Sequence, residues 1–159
     1  MTAKVHQTCL LLGSNLQPGK NLAMGVELLR KTLTIVRISS VWETPPVGSE
    51  GPDYLNMALL VKTHLDAVEL KKKVLRPLEA KLGRVRSADK NAPRTIDIDI
   101  IIFDDKLLDP NLWHYAHRAV PVAEILPDFP SEQGTLLNEI ASELAKTTPI
   151  RMRREVIIN

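Results

Sequence analysis

Six apolar segments of strand or helix length follow one another over residues 5–103 in the order β-α-β-β-α-β. The strands carry short continuous or alternating apolar runs, whereas the helices repeat leucine and valine every three or four residues. Strands are predicted at 5–12, 34–43, 55–63 and 95–103, and helices at 21–33 and 67–82. This order is that of the ferredoxin-like double split β-α-β unit. We therefore predict an α+β fold whose antiparallel sheet carries two helices on one face.

Residues beyond 103 have weaker patterns, and we interpret them as a C-terminal extension. Two further helices are predicted, near 120–125 and over 136–146, and a last strand over 155–158. The sequence has no internal repeat and no linker-like segment. Its 159 residues suit one compact domain, so we predict a single domain over 1–159.

The composition is that of a soluble globular protein, with 44% hydrophobic and 25% charged residues. The net charge of +2 is too small to favour bulk electrostatic binding to a nucleic acid or a membrane. The longest apolar run, residues 98–103, is broken by Asp99 and is far shorter than a membrane span. The single Cys9 excludes an internal disulfide and fits a reducing compartment. We expect a cytoplasmic protein that binds neither nucleic acid nor membrane.

The predicted strand 95–103 places two carboxylates on one face. Residues two apart on a strand share a face, so Asp97 and Asp99 point together while the isoleucines beside them point the other way. Their Cα atoms are about 6.6 Å apart at a rise of about 3.3 Å per residue. Such a pair can hold one or two Mg²⁺ ions and leave positions for water and phosphate oxygens. The alternative is a half-exposed strand with a solvated acidic face, and the pair alone leaves both open.

A basic loop precedes the acidic pair. Residues 84–94 contain four cations, namely Arg84, Arg86, Lys90 and Arg94. Guanidinium groups bind phosphate oxygens in a bidentate manner, and Mg²⁺ neutralises part of a polyphosphate. Cations that lead into paired carboxylates therefore favour nucleotide triphosphate chemistry. A second long loop, 44–52, holds three prolines and two glycines and is typical of a functional loop.

Five short blocks, taken in order, resemble one known family. They are Leu-Gly-Ser-Asn-Leu at 12–16, Ser-Ser-Val-Trp-Glu-Thr-Pro-Pro-Val-Gly at 39–48, Asp-Tyr-Leu-Asn at 53–56, Leu-Gly-Arg-Val-Arg at 82–86 and Pro-Arg-Thr-Ile-Asp-Ile-Asp at 93–99. The last block is similar to the signature of the 6-hydroxymethyl-7,8-dihydropterin pyrophosphokinase family of folate biosynthesis. The resemblance covers residues 5–104 and implies an ATP-dependent diphosphotransferase, EC 2.7.6.3, which moves pyrophosphate from ATP to the pterin and releases AMP.

The resemblance also implies a role for individual residues. Two Mg²⁺ ions would be held by Asp97 and Asp99, with ATP as co-substrate. The implied catalytic residues are Arg84, Arg86, Arg94, Asp97 and Asp99. The implied pterin-binding residues are Thr44, Pro45, Pro46, Val47, Tyr54 and Asn56. The implied ATP-binding residues are Glu79, Arg84, Arg94, His114 and His117.

The sequence departs from the family pattern in the loop and in the tail. Asn91 stands where the family commonly has a tryptophan. Segment 112–127 is shorter than its family counterpart and has no evident phenylalanine to sandwich the pterin against Tyr54. Trp113 and Tyr115 are the candidates to replace that phenylalanine.

The shortened segment contains two candidates for the histidine that contacts phosphate in the family. It is His114 or His117, of which we prefer His117 because Arg118 adjoins it. Two further functions are open beside the enzyme. One is an RNA-binding module, since the β-α-β-β-α-β order also serves RNA recognition, although no strand carries the required aromatic pattern and the last strand of that unit presents acids. The other is a ligand-binding regulatory module, or a relative that has lost catalysis and kept the pocket. Protein partners are not predicted.

Overall fold

The structure, a computed structural model, describes residues 4–48, 50–84 and 94–158. Within these ranges the strands are β1 (His6–Ser14), β2 (Thr34–Ile38), β3 (Trp42–Thr44), β4 (Tyr54–Thr63), β5 (Asp97–Phe103), β6 (Lys106–Leu107) and β7 (Arg151–Met152). The helices are α1 (Pro18–Arg30), α2 (Ala67–Leu70), α3 (Arg76–Lys81), α4 (Ala116–Ile125) and α5 (Leu137–Thr147). A π-helical segment, Lys71–Leu75, joins α2 to α3, and a 3₁₀ turn, Pro110–Trp113, precedes α4.

The strands described form one antiparallel sheet in the order β6-β5-β1-β4-β3-β7, with β2 also paired to β4. The predicted α+β class and antiparallel sheet are confirmed. β1 lies between β5 and β4, so its residues face a partner on both sides. Its end at Gly13 is opposite Asn56 of β4 and Asp97 of β5. This register brings the predicted pterin and metal residues to one end of the sheet.

The predicted strand 34–43 is two strands, β2 and β3, which both pair with β4. Ser39 lies between them. Its N–H donates to the carbonyl of Ala58 at 2.9 Å, and its hydroxyl accepts the N–H of Ala58 at 2.8 Å. The side chain thus replaces a backbone acceptor, and the chain bends without losing its contact with β4.

Two hydrophobic cores lie on opposite faces of the sheet. Leu10 and Leu12 of β1 point into the first, whereas Cys9 and Leu11 point into the second. α1 and the helix over 67–81 cover the first face, as predicted, and α4 and α5 cover the second. The C-terminal extension is therefore a second helical layer, which the sequence did not place.

The helix over 67–81 has a regular start and an irregular middle. It begins with a capping box, in which the Asp66 side chain accepts the N–H of Glu69 at 2.8 Å. The segment Lys71–Leu75 then widens to π-helix, directly before the first turn of α3. Pro77, in that turn, has no N–H to donate, and the wider segment accommodates the missing bond.

The predicted strand over 155–158 is wrong. The last strand is Arg151–Met152, which pairs with β3, and residues 154–155 form a turn. Val156 and Ile158 pack against the first core instead of joining the sheet. Their alternation therefore reflects burial of side chains and not strand pairing. Within the described ranges, no helix is both long and apolar enough to cross a bilayer.

Candidate active site

A cleft of about 240 Å³ opens at the end of the sheet where β5, β1 and β4 meet. It is lined by all six residues predicted to bind the pterin, namely Thr44, Pro45, Pro46, Val47, Tyr54 and Asn56. It is also lined by Arg94, Asp97, Asp99 and His117 from the predicted catalytic and ATP-binding sets. The structure thus brings together residues from loop 44–48, two strands and α4 that are far apart in the sequence.

Asn56 presents its carbonyl oxygen to the cleft. Its amide nitrogen donates to Thr44 Oγ1 at 2.9 Å and to the carbonyl of Trp42 at 3.3 Å, which fixes the orientation of the amide. Gly13 lies beside it, and a Cβ there would lie 3.4 Å from Asn56 Oδ1 and 3.8 Å from Tyr54 Cδ1. The missing side chain keeps this part of the cleft open. Asn56 is therefore suited to accept a hydrogen bond from a planar heterocycle.

Two aromatic rings, those of Tyr54 and Tyr115, line the cleft. Tyr54 is on β4, and burial raises the pKa of its hydroxyl, which stays protonated at neutral pH. Tyr115 lines the cleft from the segment before α4, with its ring 5.5 Å from that of His117. Trp113 instead stacks on Phe129 at 5.9 Å in the second core. Of the two candidates for the missing phenylalanine, the structure places Tyr115 in the cleft.

Asp97 and Asp99 both line the cleft from β5. Arg94 Nη1 lies 2.9 Å from Asp97 Oδ2, and Arg118 Nη1 lies 3.4 Å from Asp99 Oδ2. Burial, reinforced by the neighbouring Asp97 carboxylate, raises the pKa of Asp99. A cation between the two carboxylates relieves this repulsion.

The pair fits the predicted Mg²⁺ in its chemistry. Mg²⁺ prefers oxygen ligands and is often held by one or two carboxylates together with water and substrate phosphates. In the part of the chain that the structure describes, no group of three or more ligating side chains forms a closed protein metal site. A two-carboxylate site open to the cleft is consistent with ions that arrive with a nucleotide.

The backbone of Arg94 is fixed by the turn after β1. Its N–H donates to Asn15 Oδ1 at 2.6 Å, and its carbonyl accepts the N–H of Asn15 at 3.1 Å. Ser14 donates to the carbonyl of Thr95 at 2.5 Å. The Gly-Ser-Asn turn at 13–15 therefore anchors the end of the basic loop beside the acids.

Of the other three cations of the basic loop, Arg84 lies within the described residues. Arg84 follows α3, and its N–H donates to the carbonyl of Glu79 at 2.9 Å. Arg86, Lys90 and Asn91 lie outside the described residues, so the role of Arg86 stays a prediction.

Glu79 lies behind β5, with only 2% of its side chain exposed. Its Oε2 accepts the N–H of Ile98 at 2.7 Å, and its Oε1 accepts from Arg76 at 2.7 Å. Ile98 stands between the two acids, so Glu79 fixes the backbone that carries them. Burial raises the pKa of Glu79 to about 7. The residue is not among those lining the cleft, and its role in ATP binding stays a prediction.

His114 and His117 lie in different environments. His117 lines the cleft, and burial, together with the charge of Arg118, lowers its pKa to about 4. The ring is neutral at pH 7 and can accept or donate one hydrogen bond. His114 is exposed and is not among the cleft-lining residues.

Sequence reasoning missed Arg118 and Asn111, which also line the cleft. The predicted helix near 120–125 in fact begins at Ala116, so Arg118 lies in its first turn. The signal available in the sequence was the position of Arg118 beside His117.

A second cavity of about 270 Å³ lies between the helix over 67–81 and β5. It is lined by Ala67, Val68, Lys71, Leu75, Arg76, Ile98, Asp99, Ile100, Leu108 and Asp109. Asp99 lines both cavities, so they meet at this residue. The arrangement can hold two ligands whose reacting ends come together at Asp99.

The chain is similar in sequence to known proteins of one family. The family model described as 7,8-dihydro-6-hydroxymethylpterin-pyrophosphokinase matches residues 9–127. A relative from Bacillus subtilis strain 168, named 2-amino-4-hydroxy-6-hydroxymethyldihydropteridine pyrophosphokinase, is 33% identical over 135 residues, which are 77% of this chain and 80% of the relative. A relative of the same name from Methylorubrum extorquens is 35% identical over 155 residues, covering 90% of this chain and 94% of its own.

Solved structures show the same fold. A crystal structure of the Plasmodium falciparum HPPK-DHPS A437G protein superposes with a TM-score of 0.75 at 13% identity, over 91% of this chain. The chain spans 46% of the length of that protein. At this identity the likeness concerns the fold alone.

The family match covers most of the chain, and the two named relatives agree with it over 80% and 94% of their own length. The predicted enzyme class, an ATP-dependent diphosphotransferase, is confirmed by these relatives. The chain belongs to the 7,8-dihydro-6-hydroxymethylpterin-pyrophosphokinase family.

Proposed function

We propose that this chain transfers the pyrophosphoryl group of ATP to the hydroxymethyl oxygen of 6-hydroxymethyl-7,8-dihydropterin and releases AMP, as a cytoplasmic, single-domain enzyme of folate biosynthesis. The observation that carries this proposal is the meeting of two cavities at Asp99. One cavity suits a planar heterocycle, and the other suits a nucleotide. Their junction holds the acids and arginines that phosphoryl transfer needs.

The pterin is assigned to the first cleft. The ring lies beside Tyr54 and Tyr115, and Asn56 accepts a hydrogen bond from its edge. Pro45 and Val47, from the loop after β3, provide further apolar contact. In this position the hydroxymethyl group points towards the acidic pair.

ATP is assigned to the second cavity. Val68, Leu75 and Leu108 offer apolar walls to the base, and Lys71 and Arg76 supply positive charge. From there the phosphate chain extends past Asp99 into the first cleft. This direction brings the β-phosphorus between the two substrates.

Asp97 and Asp99 are proposed to hold two Mg²⁺ ions, which supply charge neutralisation to the phosphates when bound. Arg94 and Arg118, already paired with these acids, are placed to bind phosphate oxygens that are not bound to metal. Arg84, Arg86 and His117 complete the proposed phosphate-binding set. Bidentate guanidinium contacts suit the developing charge on the transferred group.

The reaction is an in-line displacement at the β-phosphorus. The hydroxymethyl oxygen forms a bond to this phosphorus, the bond to the α,β-bridging oxygen breaks, and the hydroxyl proton passes to water. AMP keeps the bridging oxygen. Positioning and charge stabilisation carry most of such a reaction, so no strong general base is required.

The direct test is to measure AMP and ADP formed from MgATP with and without the pterin. We expect AMP that depends on the pterin, and no comparable ADP. Asp97→Ala and Asp99→Ala should each lower turnover by about 100-fold or more, on the scale of losing one charge-stabilising group. Near-native turnover of either variant would show that the metal assignment is wrong. Pterin binding without AMP would favour the catalytically inactive relative.

A further inference from the structure

Asp109 and Arg118 form an ion pair between the two cavities. It lines the second cavity, whereas Arg118 lines the first. Asp109 Oδ2 lies 2.7 Å from Arg118 Nη1, and Asp109 Oδ1 accepts the N–H of Asn111 at 3.0 Å. One carboxylate oxygen therefore caps the 3₁₀ turn, and the other binds the guanidinium. The two side chains are 18% and 19% exposed, so water screens their interaction only in part.

The same nitrogen of Arg118 also faces Asp99, at the longer distance of 3.4 Å. Among the described residues, ion pairs at this point join Asp97 to Arg94, and both Asp99 and Asp109 to Arg118. A cation held by Asp97 and Asp99 would neutralise part of the negative charge that Arg118 meets at Asp99. The contact with Asp109 would then be the main restraint on the guanidinium.

We propose that Asp109 is a positioning residue, which holds the Arg118 guanidinium at the junction of the two cavities, beside the phosphate chain of ATP. This inference rests on the proposed function, and it adds a residue that neither the sequence patterns nor the family resemblance singled out. Without the Asp109 carboxylate, Arg118 turns towards Asp99 and competes there with the cation. Asp109 acts through Arg118 and makes no contact with the reacting atoms.

Two substitutions separate this role from the capping of the 3₁₀ turn. Asp109→Asn keeps an oxygen that accepts the N–H of Asn111, since asparagine is as good a cap as aspartate. Its amide nitrogen then faces Arg118 and cannot bind a guanidinium. Asp109→Ala removes both interactions. Asp66→Asn, at the cap of the helix over 67–81, is the matched control for the same change at another helix start.

The test measures binding by calorimetry with saturating Mg²⁺. The probes are ATP with a methylene group between the α- and β-phosphorus atoms, and adenosine, which has no phosphate. We expect D109N to weaken binding of the analogue about tenfold, equal to about 1.4 kcal/mol, and to leave adenosine binding unchanged. R118M should cause a similar loss, and D109N should add nothing in the R118M background. D66N should bind both probes like the wild type.

Two results would overturn the inference. They are normal analogue binding by D109N and a further loss from D109N in the R118M background. If D109A loses binding while D109N binds normally, Asp109 only caps the turn. Failure of the wild type to bind the analogue would overturn the proposed function as well, whereas normal wild-type binding with an unaffected D109N overturns the inference alone.

Discussion

Glu79→Gln tests the energetic cost of the carboxylate buried behind β5. Burial raises the pKa of Glu79 from 4.5 to about 7 in the folded state. Between these values the folded chain holds a proton that the unfolded chain has released, so stability falls as the pH rises. The contribution of protonated Glu79 to the free energy of unfolding is fully present below about pH 4.5 and is lost as the pH rises through about 7. A glutamine at this position has no such dependence.

The size of the effect follows from the same two values. The difference between 4.5 and 7, at about 1.36 kcal/mol for each pH unit, corresponds to about 3 kcal/mol of unfolding free energy. Glutamine can still accept the N–H of Ile98, whose bond to Glu79 is 2.7 Å long. From pH 5 to pH 8 we therefore expect the wild type to lose about 2 to 3 kcal/mol relative to E79Q.

The assay is urea denaturation of both chains at pH 5, 6, 7 and 8, followed by the fluorescence of Trp42 and Trp113. The difference between the two unfolding free energies reports the titration of Glu79 together with its electrostatic effect on Asp97 and Asp99, because all other titrating groups are common to both chains. Glu27→Gln, at an exposed position of α1, is the matched control. A difference between wild type and E79Q that stays constant from pH 5 to pH 8 would refute the reasoning.

Two further predictions concern stability. Gly25→Ala places a Cβ 2.6 Å from Ile96 Cδ1 in the first core, and we expect a loss of about 1 to 3 kcal/mol from overpacking, measured by urea denaturation. An unchanged or higher stability would mean that Ile96 moves at little cost. Ser39→Ala removes the acceptor for the buried N–H of Ala58, and we expect a loss of about 1 to 3 kcal/mol, seen as a lower Tm. Ser39→Thr, which keeps the hydroxyl, should restore part of this loss.

The elements up to residue 103 are predictable because their signals are local. Each strand and helix there has its own apolar period, and the capping box at Asp66 marks a helix start without reference to the rest of the chain. The tail lacks such signals. α4 contains Pro121, which has no N–H to donate to the carbonyl of His117, so the sequence favours a shorter helix than the one formed. Packing of α4 on the second face of the sheet compensates for the lost bond.

The site residues also differ in whether a local sequence pattern predicts them. Alternation along β5 is enough to predict that Asp97 and Asp99 point together, and the cleft confirms that they do. Arg118 is marked in the sequence only by its position beside His117, and Asp109 carries no such mark. Their positions near Asp99 depend on how the 3₁₀ turn and α4 pack against the sheet. The long-range pairing that places them is a property of the second core and has no local pattern.

Gly13 becomes part of the site because of the strand register. In the sequence it only marks the end of a strand. In the sheet it lies between Asn56 of β4 and Asp97 of β5, which are proposed to bind the pterin and the metal. A Cβ there would lie 3.4 Å from Asn56 Oδ1 and 3.8 Å from Tyr54 Cδ1. In the proposed arrangement, the absence of a side chain at Gly13 leaves this part of the cleft free for the hydroxymethyl group of the pterin.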